Sequence, residues 1–334
     1  MLSLANTLAI INWCFNFLAI LIFLMIIIIG IRRRRELRDI ALLLTYNTCF
    51  AALLATLAVA VMTSSNLSNG FLAFNLIFCS IWGLFYDLVQ CIIYHSYYLQ
   101  AFYRLCRVVF YKKRSLLSKS LFLMLIISQW LILILILLPP ILFNWYAHLP
   151  TESYCLVPYT NLLAECYHIF IIYMIPLICI AVIYIWITTF IRRSSHTAAI
   201  RLAATQRQRN IRDLTVIRRI ILLISVLFIL RFPTIILTIY AVLNHDAYQY
   251  TYSIVGLITS LCMIFIGLMM IHITPQLRNN LFIYSIFRDN RVATGEGLQP
   301  RAMMLSTSTK HHLPAVQQQQ QQTSSIQRQT VIQV

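Results

Sequence analysis

The stretch CSIWGLFYDLVQCIIYHSYYLQAFYR, residues 79–104, decides how the rest of the chain is read. It is mainly apolar, opens on Cys79 and closes on Arg104. As a helix rising about 1.5 Å per residue it separates those two residues by about 38 Å, more than a hydrocarbon core of roughly 30 Å. One membrane face then receives a cysteine and the other an arginine.

Outward from this stretch the same pattern repeats. A spanning helix needs about 20 mainly apolar residues, and seven segments qualify: about Leu8–Ile31, Ile40–Met62, Leu76–Val109, Leu121–Phe143, Leu162–Ile191, Val216–Leu243 and Tyr250–Thr274. The third exceeds what a membrane needs, which predicts tilt or an extension beyond the bilayer. The whole chain, 334 residues, is 60% hydrophobic and 10% charged, more apolar surface than a soluble domain of this length hides. The expected fold is all-α: a polytopic seven-transmembrane helix bundle over residues 1–287. Past Arg288 the composition shifts to Ser, Thr and the glutamine run Gln317–Gln322, which predicts a disordered tail over 288–334. The first apolar run begins almost at Met1, lacks a basic leader and ends in Arg32-Arg33-Arg34-Arg35, so it reads as a retained span and not a cleaved signal.

Orientation follows from the basic residues. Of 26 Lys and Arg, 25 lie in alternate connections or the tail: Arg32 to Arg38, Arg104 to Lys119, Arg192 to Arg219, and from Arg278 on. The opposite loops hold only the acids Glu152 and Asp246. This asymmetry predicts an N-terminus outside, a cytoplasmic C-terminus and a multi-pass plasma-membrane protein. A net charge of +17 spread over such loops signals topology and contact with the lipid bilayer, not nucleic acid.

Seven spans fit transporters and pumps as well as receptors, so single residues must discriminate. Cys79 opens the third span on the expected outer side, and Cys155 lies in the second outer loop. Both face an oxidising compartment where a disulfide persists; a bridge would pin the loop over the bundle mouth, and two free thiols are the other reading. The fourth span carries Trp130 and Pro139-Pro140, the fifth Pro176 followed by Tyr184, and the sixth Pro233. Each proline frees a carbonyl and bends its helix.

In this order and spacing the features resemble the rhodopsin-like class of G-protein-coupled receptors, from about Leu8 to Phe287. The run Leu99–Leu116 is similar to orphan receptors of the expanded bdelloid rotifer type. The resemblance implies that Cys79 and Cys155 form the outer disulfide, that Arg104 and Tyr184 serve G-protein coupling, and that Pro176 and Pro233 are helix bends. It also implies a heterotrimeric G protein and an extracellular small molecule or peptide as partners. Departures stand beside it. Tyr103 replaces the acid expected before Arg104, the second span has no acid for a sodium site, Arg231 replaces a tryptophan before Pro233, and the seventh span lacks an Asn-Pro-x-x-Tyr motif. That span also has no lysine to hold retinal.

Arg231 is the one basic residue in the interior of a span, away from its cytoplasmic end. An arginine at bilayer depth costs about 2.5–3.5 kcal/mol on insertion scales, so it should face the bundle interior. Asp87 and Gln90, in the outer half of the third span, are its expected partners. A ligand-binding pocket of Tyr86, Asp87, Gln90, His168, Arg231 and Thr234 is one reading; an internal ion pair that only holds the bundle is the other. Tyr86 stands where the family's amine-binding aspartate would fall, so the resemblance gives no support to a biogenic amine. Asn66-Leu67-Ser68 fits the N-glycosylation pattern in the first outer loop. Tail sites such as Ser306-Thr307-Ser308-Thr309 could be phosphorylated for an arrestin-like protein.

No metal-ligand spacing, phosphate loop or nucleophile–base pair is visible, so neither cofactor nor enzyme activity is expected. The sequence thus points to a receptor. The rivals are a transporter or pump, with Asp87 and Arg231 on an ion path, and a receptor fold that no longer signals.

Overall fold

The computed structural model describes residues 4–32, 39–68, 70–149, 151–198, 232–244, 248 and 250–273. Three long helices come first: α1 (Leu4–Arg32), α2 (Ile40–Leu67) and α3 (Leu76–Val108). The fourth span is α4 (Lys119–Ile136) followed by the short α5 (Leu138–Leu142). A two-stranded antiparallel hairpin, β1 (Ala147–His148) and β2 (Cys155–Leu156), pairs Ala147 with Leu156 and His148 with Cys155. The fifth span is α6 (Leu162–His168), a wide turn over Ile169–Met174, and α7 (Ile175–Ala198). Then come α8 (Phe232–Asn244), described from Phe232 onward, and α9 (Thr251–Ile273). The result is a seven-helix membrane bundle; six of its described spans are long and apolar enough to cross a bilayer.

Local chemistry sets the boundaries. The Asp39 carboxylate accepts from the amide of Ala41 at 3.1 Å and starts α2. The Asn75 side chain accepts from Ile77 and Phe78 and starts α3. Such caps satisfy amides that the first helical turn leaves without partners. Pro139 and Pro140 open α5 and separate it from α4, since neither can donate to the preceding turn. Pro176 acts one span later. Its missing N–H leaves the carbonyl of Ile172 without the usual donor, and the chain widens just before it, the Ile175 amide reaching back five residues to Phe170. The expected bend at Pro176 is therefore a wide turn. Pro233 sits at the described start of α8; the turn before it lies outside the described residues.

Burial is inverted relative to a soluble protein. Only 17% of the most apolar stretch of the fourth span is buried, against 56% for α2, so lipid is the solvent for the outward faces. Inside, two clusters of neutral polar side chains hold helix to helix. Asn47 donates to Ser96 at 2.8 Å, Gln129 donates to Ser96 at 3.1 Å, and Trp130 donates its indole N–H to Asn47 at 3.2 Å. That cluster joins α2, α3 and α4 and accounts for the tryptophan of the fourth span. A second cluster joins α1, α2 and α9: Asn16 donates to Ser260 at 2.8 Å, Ser260 donates to Asn12, and Asn12 donates to Thr63 at 3.2 Å. Hydrogen bonds of this kind contribute about 0.6 kcal/mol each on average between membrane helices.

Candidate functional site

The hairpin is fastened to one end of the bundle. Cys79 and Cys155 are disulfide-bonded, with Cα atoms 5.3 Å apart. One turn further along α3, Gly83 lets the strand approach: a Cβ there would meet the carbonyl oxygen of Cys155 at 2.6 Å. Beyond the bridge, Ser65 donates to the carbonyl of Ser153 at 2.9 Å, and the Ser153 amide donates to Asn66 at 2.7 Å. Glu152 closes the frame. One carboxylate oxygen accepts from Ser253 of α9 at 2.7 Å and the other from the side-chain amide of Asn66. Burial raises the Glu152 pKa, and these two hydrogen bonds work against the rise. The Asn66 side chain is thus bonded through both of its polar atoms in the last turn of α2, and the nitrogen a glycan would modify is already committed to Glu152.

Beneath the hairpin lies a cavity of about 190 Å³. Tyr86, Asp87, His168 and Thr234, all expected in a pocket, line it. Gln90 is 2% exposed, and both its amide atoms lack hydrogen-bond partners, but it is not in the described lining. Arg231 lies outside the described residues, and with it the expected Arg231 pairing.

Asp87 has other company. Its carboxylate accepts from the Tyr146 hydroxyl at 2.8 Å and lies 3.3 Å from Nε2 of His168. His168 Nδ1 sits 2.8 Å from the carbonyl oxygen of Ala164. A carbonyl only accepts, so Nδ1 carries a proton. Nε2 then meets Asp87 favourably only if a proton lies between them, which makes this a buried imidazolium–carboxylate pair or its neutral equivalent. The pair joins α3, the loop before β1 and α6. Tyr146 is the member that sequence reasoning missed.

Tyrosines form much of the remaining wall. Tyr159 and Tyr252 stack at 4.9 Å, and Tyr94 meets Tyr173 edge-on at 4.8 Å. Glu165, at the start of the fifth span, also lines the cavity. Sequence reasoning passed over it, although the cost of burying charge that singled out Arg231 applies equally to an acid in a span.

At the far end of α3 the contacts change character. Tyr103 is buried and meets Phe122 edge-on at 5.2 Å. Arg104 acts electrostatically on the buried Tyr184 hydroxyl, so the two residues expected to serve coupling lie side by side. Phe110 meets Trp186 edge-on at 5.8 Å. No group of His, Cys, Asp or Glu suited to a metal occurs among the described residues.

The family described as "7 transmembrane receptor (rhodopsin family)" matches residues 23–272. The chain belongs to this family. Its members are receptors, in keeping with the seven-helix bundle and the Cys79–Cys155 bridge. The crystal structure of squid rhodopsin is similar in fold: TM-score 0.64 and 16% identity, over 88% of this chain and 90% of that one. No curated protein matches the chain in sequence.

Proposed function

We propose that this rhodopsin-family chain is a receptor that binds an extracellular ligand in the cavity under the hairpin and passes the signal to a heterotrimeric G protein. The observation that carries the reading is one helix serving two sites. The Asp87 end of α3 lines a cavity beneath a disulfide-tied loop, and its other end brings Arg104 beside Tyr184. In this reading the disulfide end faces outside, the Arg104 end and the basic loops face the cytoplasm, and the tail offers phosphorylation sites to an arrestin-like protein. A ligand shifts the bundle only by binding the signalling arrangement better than the resting one.

The test is a panel of G-protein activation assays on the full chain in cells, with Arg104→Ala beside the wild type. Coupling by the wild type and its loss in Arg104→Ala, at equal surface level, is the expected result. Equal coupling by both would remove Arg104 from the mechanism. Net solute flux in liposomes without a G protein would replace the receptor reading with a transporter.

A further inference from the structure

The acids of the cavity differ in their partners among the described residues. Asp87 is matched by His168 at 3.3 Å and by the Tyr146 hydroxyl. Both oxygens of Glu152 accept hydrogen bonds from neutral groups. Glu165 lines the cavity, and among the described residues no hydrogen bond or ion pair reaches its carboxylate. His168, one turn along the same helix, places Nδ1 on the Ala164 carbonyl and Nε2 3.3 Å from Asp87, and acts on Glu165 only through space. Arg231, in the interior of the sixth span, lies outside the described residues.

Two independent features show that this space is built for an occupant. The first is an orphan donor: Tyr97 lines the cavity, is 4% exposed, and its hydroxyl has no hydrogen-bond partner. The Thr234 hydroxyl, on α8, also lines the cavity and lacks a partner. Buried polar groups are rarely left so, because an unpaired one has lost its water without gaining a partner. The second is an aromatic wall. Glu165 is near enough to Tyr159 and Tyr252 to act on both electrostatically, and those two rings stack. Ring faces attract cations by about 0.5–2 kcal/mol.

We infer that the cavity takes a small organic cation, a primary ammonium or guanidinium on a body about the size of one aromatic ring, with Glu165 as its counter-ion and tyrosines around it. The size follows from the volume: an apolar cavity of about 150 Å³ holds benzene, and this one is about 190 Å³. The acid comes from the fifth span, so the tyrosine at position 86 is no obstacle. Tyr97 lies eleven residues beyond Tyr86 on α3, about 16 Å deeper, and marks the far end of the same cavity.

This inference rests on the receptor reading, and the experiment separates the two. The full-length protein in lipid nanodiscs, with no G protein present, is titrated with four probes: 2-phenylethylamine, its N-acetyl derivative, 3-phenylpropionate and the tripeptide amide Phe-Gly-Gly-NH2. Melting temperature and calorimetric binding are read. The amine should bind saturably, and its neutral and anionic counterparts should not. Glu165→Gln should weaken the amine at least tenfold while the ligand-free variant melts no lower than wild type, because a carboxylate with no hydrogen-bond partner among the described residues has been removed. Binding of the tripeptide but not the amine keeps the cation and assigns its source to a peptide N-terminus. Preference for 3-phenylpropionate, equal binding of the first three probes, or binding of none overturns the inference. So does a Glu165→Gln variant that melts lower with unchanged amine affinity. Loss of G-protein coupling alongside intact amine selectivity would sink the receptor reading and leave this one standing.

Discussion

At the disulfide end, the hairpin is held by a covalent bond, by hydrogen bonds from Ser65, Asn66 and Ser253, and by the Tyr146 hydroxyl just before β1, which donates to the buried Asp87. At the Arg104 end, one buried interhelical hydrogen bond, from Gln100 to Thr48, stands beside aromatic edges, Tyr103 on Phe122 and Phe110 on Trp186, with Arg104 beside Tyr184. The difference is one of tolerance. A hydrogen-bonded frame has one good geometry, and displacing it leaves buried polar groups without partners. Aromatic packing changes neighbours at a smaller cost. One end of the bundle is therefore a fixed frame around a cavity, and the other permits rearrangement.

The sharpest way to break that contrast is Asp87→Ala. It strands His168 and Tyr146 in the interior, and removal of one partner of a buried ion pair costs about 3–5 kcal/mol. The variant should melt far below wild type in nanodiscs. Asp87→Asn, which still accepts from Tyr146, should recover part of the loss. Equal melting of Asp87→Ala and wild type would show that the pair contributes nothing to the frame.

Next in size is the covalent link. Cys79→Ser with Cys155→Ser should lower stability by about 2–5 kcal/mol and uncover the cavity. Gly83→Ala attacks the same junction from the other side. Its Cβ would sit 2.6 Å from the Cys155 carbonyl, a backbone atom that cannot swing away. A cost of about 1–2 kcal/mol is expected, partly offset by alanine's better helix propensity. A rise in melting temperature would mean that the hairpin floats on α3.

A change at the Arg104 end should act on signalling more than on stability. Tyr103 stands where the family has an acid, so the position beside Arg104 in the chain offers it a phenol and not a carboxylate. Tyr103→Asp should lower ligand-independent G-protein turnover about two- to fivefold, the scale of a weakly buried ion pair. Basal turnover unchanged or raised in this variant would count against that role.

The bundle itself was legible because spans are announced by composition and bounded by Asp39, Asn75 and Pro139-Pro140. The disulfide was legible because two cysteines fell on one side of the membrane. The wide turn over Ile169–Met174 was not, since Pro176 announces a missing donor but not how the chain re-routes around it. The hairpin strands are two residues each, too short for alternation to show. Within the site, sequence reasoning sought partners for Arg231 and named Asp87 and Gln90; Arg231 lies outside the described residues, and what Asp87 itself meets was not foreseen. The structure supplied an imidazole and a phenol, whose availability depends on tautomer and loop path. Asn66 matched a glycosylation pattern, yet helix α2 runs through it and commits its amide to Glu152.

Glu152 offers the finest test of the frame, because it is a loop residue whose titration reports on the tether. Its carboxyl is more readily protonated in the folded protein than in the unfolded chain, as burial outweighs the hydrogen bonds from Ser253 and Asn66. Over the window from the ordinary glutamate value of 4.5 up to the raised folded value, the folded state holds more protons than the unfolded state. Stability must then fall as pH rises through that window, and the stabilising contribution is complete only below it. Glu152→Gln removes the titration but can still accept from Asn66 through Oε1 and donate to the Ser253 hydroxyl through its NH2. It should flatten the decline in melting temperature with pH while changing stability by less than about 1 kcal/mol below the window. A decline of the same slope in wild type and Glu152→Gln would assign the pH dependence to another group and leave Glu152 as a tether alone.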